Sequence, residues 1–195
     1  MTQIDFAAAQ ADIALDPMAG TLARAHVSSA SIVVEKINIG ILALDLGTKT
    51  GYALRRRDGR IVHGTESFQP RASWSAGQKW ARYRAWLTAI IRDHNVQQVA
   101  YELVIRHEAK GRPLWDAAHA YGAFQAITFM VCDGFNIEPV GVNLATVKKS
   151  YTGSGLAKKK DMVAEAERRG FRPETDNDAD ALAILDWAVA RERAA

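Results

Sequence analysis

The segment "LALDLGTKTGYAL", residues 42–54, decides how the rest of the chain is read. Leu42, Ala43 and Leu44 form an apolar run short enough for a buried strand. Asp45 follows directly, where that strand ends or bends, and a carboxylate there needs a partner. Gly47 and Gly51 then flank small hydroxyl residues and a lysine. Two readings of these glycines stand side by side. They clear side-chain bulk so that a phosphodiester backbone can approach Asp45, with Thr48, Thr50 and Lys49 as phosphate contacts, or they shape a tight turn between two strands.

Working outward, "INIGILALDL" (37–46), "TGYALRRR" (50–57) and "RIVHGTESF" (60–68) read as successive antiparallel strands, with Asp58–Gly59 as the turn between the last two. "AGQKWARYRAWLTAIIRDHN" sets Trp80, Tyr83, Leu87, Ile90 and Ile91 at helical spacing, which predicts a core-facing stripe. "VQQVAYEL" is a fourth strand ending at Glu102. A polar loop, "IRHEAKGR", leads to a helix expected from Pro113 to about Val131. "FNIEPVGVN" is a further short strand. The basic stretch "LATVKKSYTGSGLAKKKDM" enters a helix stopped by Gly170, and a last helix begins near Asp178. Three antiparallel strands followed by strands alternating with helices predict one α/β domain: a mixed five-stranded sheet, its first three strands antiparallel, flanked by helices.

That domain spans residues 37–195. Residues 1–36 stand apart as an alanine-rich N-terminal extension broken by Pro17 and Gly20, read as short helices or a poorly ordered arm. The net charge of +3 permits a nucleic-acid partner without demanding one. The single cysteine, Cys132, excludes a disulfide or cysteine zinc site within one chain and reads as a buried structural thiol. There is no secretory leader pattern and no apolar run near the roughly 20 residues that span a bilayer, so a soluble cytoplasmic protein is expected. The histidines are dispersed without zinc spacing, and only His107 falls near the carboxylates discussed next. Trp74, Trp80 and Trp86 read as core and rim.

Asp45 ends the first strand, Glu102 ends the fourth, and Asp176, Asp178 and Asp180 cluster at the start of the last helix. Asp176 and Asp180 are one helical turn apart and share a face. Carboxylates held together repel unless one takes up a proton or a divalent cation sits among them, and Mg²⁺ suits such oxygen ligands.

In order and spacing, "LALDLGTKTGYAL", "VAYELV", "AHAYGAFQAI", "VKKSYTGSGLAKKKDM" and "DNDADALAILDWA" resemble the RuvC-like Holliday junction resolvases, especially phage and prophage forms, of the RNase H-like superfamily. The resemblance covers roughly residues 38–190. It implies a metal-dependent, structure-selective endodeoxyribonuclease that resolves four-way DNA junctions by paired nicks through two-metal hydrolysis. It implies two Mg²⁺ ions per site, with Mn²⁺ as a substitute. Asp45, Glu102, Asp176 and Asp180 are its implied catalytic residues and metal ligands. Many family members carry an acid or histidine where this chain has Asn177, so Asp176 is preferred over Asp178 as the fourth carboxylate, with Asn177 as a neutral alternative.

DNA contacts are expected from Lys49, from Arg106, Lys110 and Arg112 in the loop after Glu102, and from Lys148, Lys149, Lys158, Lys159 and Lys160 around "SYTGSGLA". Lys149 and Lys158 best match the family's lysines near the scissile phosphate, with Lys160 as the alternative. Ile105 stands where an aromatic wedge is often found. A homodimer matches the near two-fold symmetry of a junction. The helix from Pro113, with Ala117, Ala118, Tyr121, Gly122 and Gln125 on one side, is the implied interface, though its small residues suit packing on the sheet equally. The opening motif also resembles the short YqgF-type proteins implicated in ribosomal RNA processing, and the phosphate loop of actin-like ATPases and sugar kinases, which need two such domains. A catalytically dead module that binds branched DNA is the remaining alternative.

Overall fold

The computed structural model describes residues 26–27, 37–105, 108–109 and 112–195. The N-terminal extension other than residues 26–27, together with Arg106, His107 and Lys110, lies outside the described residues. Arg112 is described as strand backbone only.

The strands are β1 (His26–Val27), β2 (Gly40–Asp45), β3 (Lys49–Arg55), β4 (Ile61–Ser67), β5 (Val96–Glu102), β6 (Glu108–Ala109), β7 (Arg112–Pro113) and β8 (Val140–Val142). The helices are α1 (Gln78–Asp93), α2 (Trp115–Asp133), α3 (Leu144–Thr152), α4 (Lys159–Arg168) and α5 (Asp176–Ala194). The main sheet runs β1-β4-β3-β2-β5-β8. Its β2, β3 and β4 are antiparallel neighbours, while β2–β5 and β5–β8 are parallel. These five strands are the mixed sheet expected from sequence, and β1 adds a two-residue edge to β4.

The central strands are apolar without interruption because both faces of the sheet are covered. Alternation assigns each residue to one face. Leu42, Leu44, Tyr52, Leu54, Val99 and Tyr101 join the core under α1 and α2. Ile41, Ala43, Ala53 and Ala100 join the core under α3, α4 and α5. That second face is lined by alanine, and α5 answers with Ala179, Ala181, Ala183 and Ala188, all buried. Small side chains on both surfaces let the helix lie close to the sheet, so polar groups at its start can reach the strand ends.

Three sequence readings need correction. The basic stretch after Asn143 contains a helix of its own, α3, capped by Asn143, whose side chain accepts from the Ala145 amide at 2.8 Å. It is closed by Gly153 at φ +83°, a left-handed conformation that suits glycine. The second large helix begins at Trp115, because Pro113 is taken into a short hairpin with β6. The last helix begins at Asp176, because Thr175 caps it by accepting from the Asp178 amide at 3.1 Å. Cys132 is buried, as read. Among the described residues no helix is long and apolar enough to cross a membrane.

Candidate active site

The site is laid out by the register of the sheet. Asp45 pairs with Gly51, and Gly51 with Thr65, so these three form a row across β2, β3 and β4. They share the face of Ala43 and Ala53, two residues back along β2 and two residues on along β3, which is the face that α5 covers. In the parallel neighbour β5, Leu44 pairs with Tyr101, which sets Glu102 beside Asp45 at the strand ends. The first turns of α5 lie along this row.

Each position in the row has its counterpart on or beside α5. Thr65 and the cap Thr175 share a hydroxyl hydrogen bond of 2.6 Å. Gly51 meets the backbone of Asn177 so closely that a Cβ there would fall 2.0 Å from the Asn177 carbonyl oxygen. Asn177 Nδ2 donates to the Lys49 carbonyl oxygen at 3.0 Å. One step further along, the Asp180 carboxylate is near enough to Asp45 and Glu102 to raise the proton affinity of both.

Electrostatically the cluster is strained. Burial, and then the charges of Glu102, Asp180 and Asp176, push the Asp45 carboxyl well above its ordinary range. Burial and then Asp180 raise Glu102, which shares a hydrogen bond with Asp45. Two carboxyl groups set this close titrate together, and each raises the proton affinity of the pair. Asp180 is also raised, chiefly by burial, and its Oδ1 is buried with no hydrogen-bond partner. Asp176 is held low by its ion pair with Lys159.

The cations whose charge draws these carboxyl groups back down are Lys148, acting on Glu102 and Asp180, and Lys159, acting on Asp45 and Asp180. Lys149 and Lys158, expected as contacts to the scissile phosphate, have no such influence on these carboxyl groups. On α3, Lys149 is turned out into solvent while Lys148 is half-buried, and on α4 Lys158 is the exposed N-cap while Lys159, also exposed, is tied to Asp176. Lys49, Lys158 and Lys160 are exposed at the rim.

Other expectations change with the packing. Thr50 is fully buried and its hydroxyl donates to the Gly47 carbonyl at 2.6 Å, so it is no phosphate contact. The Thr48 hydroxyl accepts from Lys79 at 3.2 Å. Gly51 is required by the close approach of α5, while a Cβ on Gly47 would meet nothing nearer than 3.8 Å. Asp178 faces inward: its Oδ1 lies 2.7 Å from His63 Nδ1, and its Oδ2 accepts from the Glu174 amide at 3.1 Å. Both side chains of this pair are 1% exposed or less. Asp178 therefore anchors the helix start between Asp176 and Asp180. The role of His63 was invisible in sequence, since only the register places it beside Ala53 under α5.

The donor set fits a divalent cation. Mutually repelling carboxylates with an unpartnered buried oxygen gain from one, and the rim lysines leave the cluster short of positive charge. Among the described residues no group of three or more His, Cys, Asp or Glu side chains forms a cage that could hold a metal ion as it stands. Mg²⁺ rarely uses such a cage, binding instead through one or two carboxylates, waters and substrate phosphates.

No protein-family model matches the chain, and no curated protein matches it in sequence. Solved structures do match. RuvC from Thermus thermophilus superposes with a TM-score of 0.63 at 17% identity, covering 80% of this chain and 97% of that one. RuvC of the same organism in complex with a Holliday junction substrate gives the same score and identity over 80% and 96%. A yeast mitochondrial Holliday junction resolvase gives 0.56 at 11% identity over 78% of each chain. The chain thus has the fold of RuvC, an RNase H-like fold.

Proposed function

We propose that this protein is a divalent-metal-dependent endonuclease that cuts four-way DNA junctions. The observation that carries the reading is the convergence of Asp45, Glu102 and Asp180 at one end of a RuvC-like sheet, with the Asp180 Oδ1 buried and unpartnered. Asp45, Glu102 and Asp180 would hold the metal, with Asp176 joining once Lys159 releases it. Bound Mg²⁺ or Mn²⁺ supplies Lewis acidity, making the attacking water more acidic and offsetting charge at the scissile phosphate.

The chain's own residues do the rest. Asp45, half-buried at the end of the central strand, orients the cluster. Lys148 and Lys159 bring cations from α3 and α4 to the carboxylates and neutralise a phosphate entering between them. Lys159 exchanges its Asp176 partner for that phosphate at little cost, because the pair is largely exposed.

Paired nicks call for two such sites, supplied by a C2 homodimer. On α2 the exposed face presents Trp115, Phe129 and Met130, with Gly122 between them. Tyr121, in contrast, is buried and donates to the Glu102 carbonyl at 2.7 Å, so it supports the site and not the dimer.

The test is cleavage of an end-labelled synthetic four-way junction with Mg²⁺ or Mn²⁺, beside duplex, flap and matched RNA substrates. Symmetric metal-dependent nicks at the junction, lost in Asp45→Asn, support the reading. Tight binding without cutting would favour an inactive binding module, and preferential cutting of RNA would move the substrate class.

A further inference from the structure

Residues 67–92 carry Arg71, Lys79, Arg82, Arg84 and Arg92 without a single acid, in a chain where acids and bases are otherwise nearly balanced. The structure folds this segment into the β4–α1 loop and α1. Strand β4 runs parallel to β2, so the loop leaves the sheet at the end where Asp45 stands. Lys79 fixes the connection: its ammonium donates to Thr48 Oγ1 at 3.2 Å, three residues from Asp45, while lying over the rings of Trp80 and Phe124 at 4.5 and 5.0 Å.

Beyond this staple the loop builds a cationic and aromatic surface. Arg82 stacks over Trp74 at 4.6 Å, and Arg71 approaches the same ring at 5.7 Å. Both arginines are exposed and Trp74 is partly so. A guanidinium held on an indole keeps its donors in a fixed plane, which suits phosphate oxygens, and the ring offers a stacking surface to a base. Because α1 covers the opposite face of the sheet from α3 and α4, this cluster belongs to the other face from Lys148 and Lys159, at the end of the sheet where β4 and Asp45 both terminate.

We infer that Arg71, Trp74 and Arg82 form a second DNA-contacting surface, so that branched DNA lying across the end of the sheet is gripped from both faces. Lys148 and Lys159 hold the strand to be cut, and the Arg71–Trp74–Arg82 cluster holds an adjoining arm, its arginines on phosphates and Trp74 against an exposed base. The inference rests on the nuclease reading and adds a substrate surface to it.

The experiment is binding of a fluorescein-labelled four-way DNA junction, followed by anisotropy in EDTA so that no cutting occurs, over a series of salt concentrations. Arg71→Ala with Arg82→Ala should raise Kd about tenfold and flatten the salt slope by about 2, as expected when two phosphates are no longer neutralised. Trp74→Ala should raise Kd severalfold, and Trp74→Phe should restore most of the affinity. Arg60→Ala, at the far hairpin, serves as the control for removal of a surface charge and should stay within about twofold. Wild-type Kd and slope in the double arginine variant, alongside weakened binding by Lys148→Ala, would overturn this surface and leave the nuclease reading intact. Failure of the unaltered protein to bind any branched DNA would overturn both.

Discussion

Gly51 on β3 lies directly beneath Asn177 on α5: a methyl group at position 51 would stand 2.0 Å from the Asn177 carbonyl oxygen. This contact sets the depth at which the last helix sits, and with it the distance from Asp180 to Asp45. A glycine that the sequence allowed as an opening for substrate or as part of a tight turn is a seat for a helix.

Gly51→Ala should therefore cost stability, about 1–3 kcal/mol for an overpacked contact against rigid backbone. Junction cleavage should fall by more than tenfold, because α5 must move outward. Thermal melts and single-turnover cleavage read the two effects; wild-type values in both would refute the seat.

Asp45→Asn and Glu102→Gln should each lower cleavage by at least 100-fold while leaving junction affinity within a few-fold, since neither side chain is a phosphate contact. Retained nicking in Asp45→Asn would sink the assignment of the site.

Without metal, the raised carboxyl groups oppose folding at neutral pH. Asp45 and Glu102 bind protons more tightly in the folded state than at their ordinary values of 3.8 and 4.5. Their contribution to stability is thus greatest at low pH and is lost as pH rises through the raised folded values. Metal-free Tm should decline across that range, Mg²⁺ should restore it most at higher pH, and Asp45→Asn should raise the metal-free Tm at pH 7 while abolishing the Mg²⁺ effect. Calorimetry in EDTA and in Mg²⁺ checks each sign.

His63→Ala leaves the buried Asp178 Oδ1 without its ring partner and should cost about 1–3 kcal/mol, a loss read as a lowered Tm. Cleavage should fall more than junction binding does, because Asp178 lies between Asp176 and Asp180. Equal loss of both would reduce the pair to a purely structural anchor.

Lys148→Ala and Lys159→Ala should reduce cleavage more than Lys149→Ala and Lys158→Ala, since the first two reach the carboxylates. All four should flatten the salt dependence of binding, by about 1 for each phosphate left without its lysine. A side-by-side set of single-turnover rates decides it; equal rates in all four variants would refute the ranking.

The sequence by itself determined the five main strands, because short apolar runs bounded by Asp58–Gly59 and by polar loops leave few alternatives. It also marked Asp45 and Glu102, since a carboxylate at the end of a buried run is costly without a purpose, and the cluster of Asp176, Asp178 and Asp180 at the start of the last helix. Only the tertiary structure decided which neighbours these groups have. Strand register, which no local pattern encodes, put Asp45 in one row with Gly51 and Thr65 and turned His63 toward Asp178. A single step around a helix, about 100°, separates the half-buried Lys148 from the exposed Lys149. The basic, acid-free segment at 67–92 was legible as composition, but its meaning depends on the Lys79–Thr48 contact, which joins residues 31 positions apart. Contacts of that kind form because burial on both faces of the sheet holds the helices in place, and their partners lie too far along the chain for spacing to reveal.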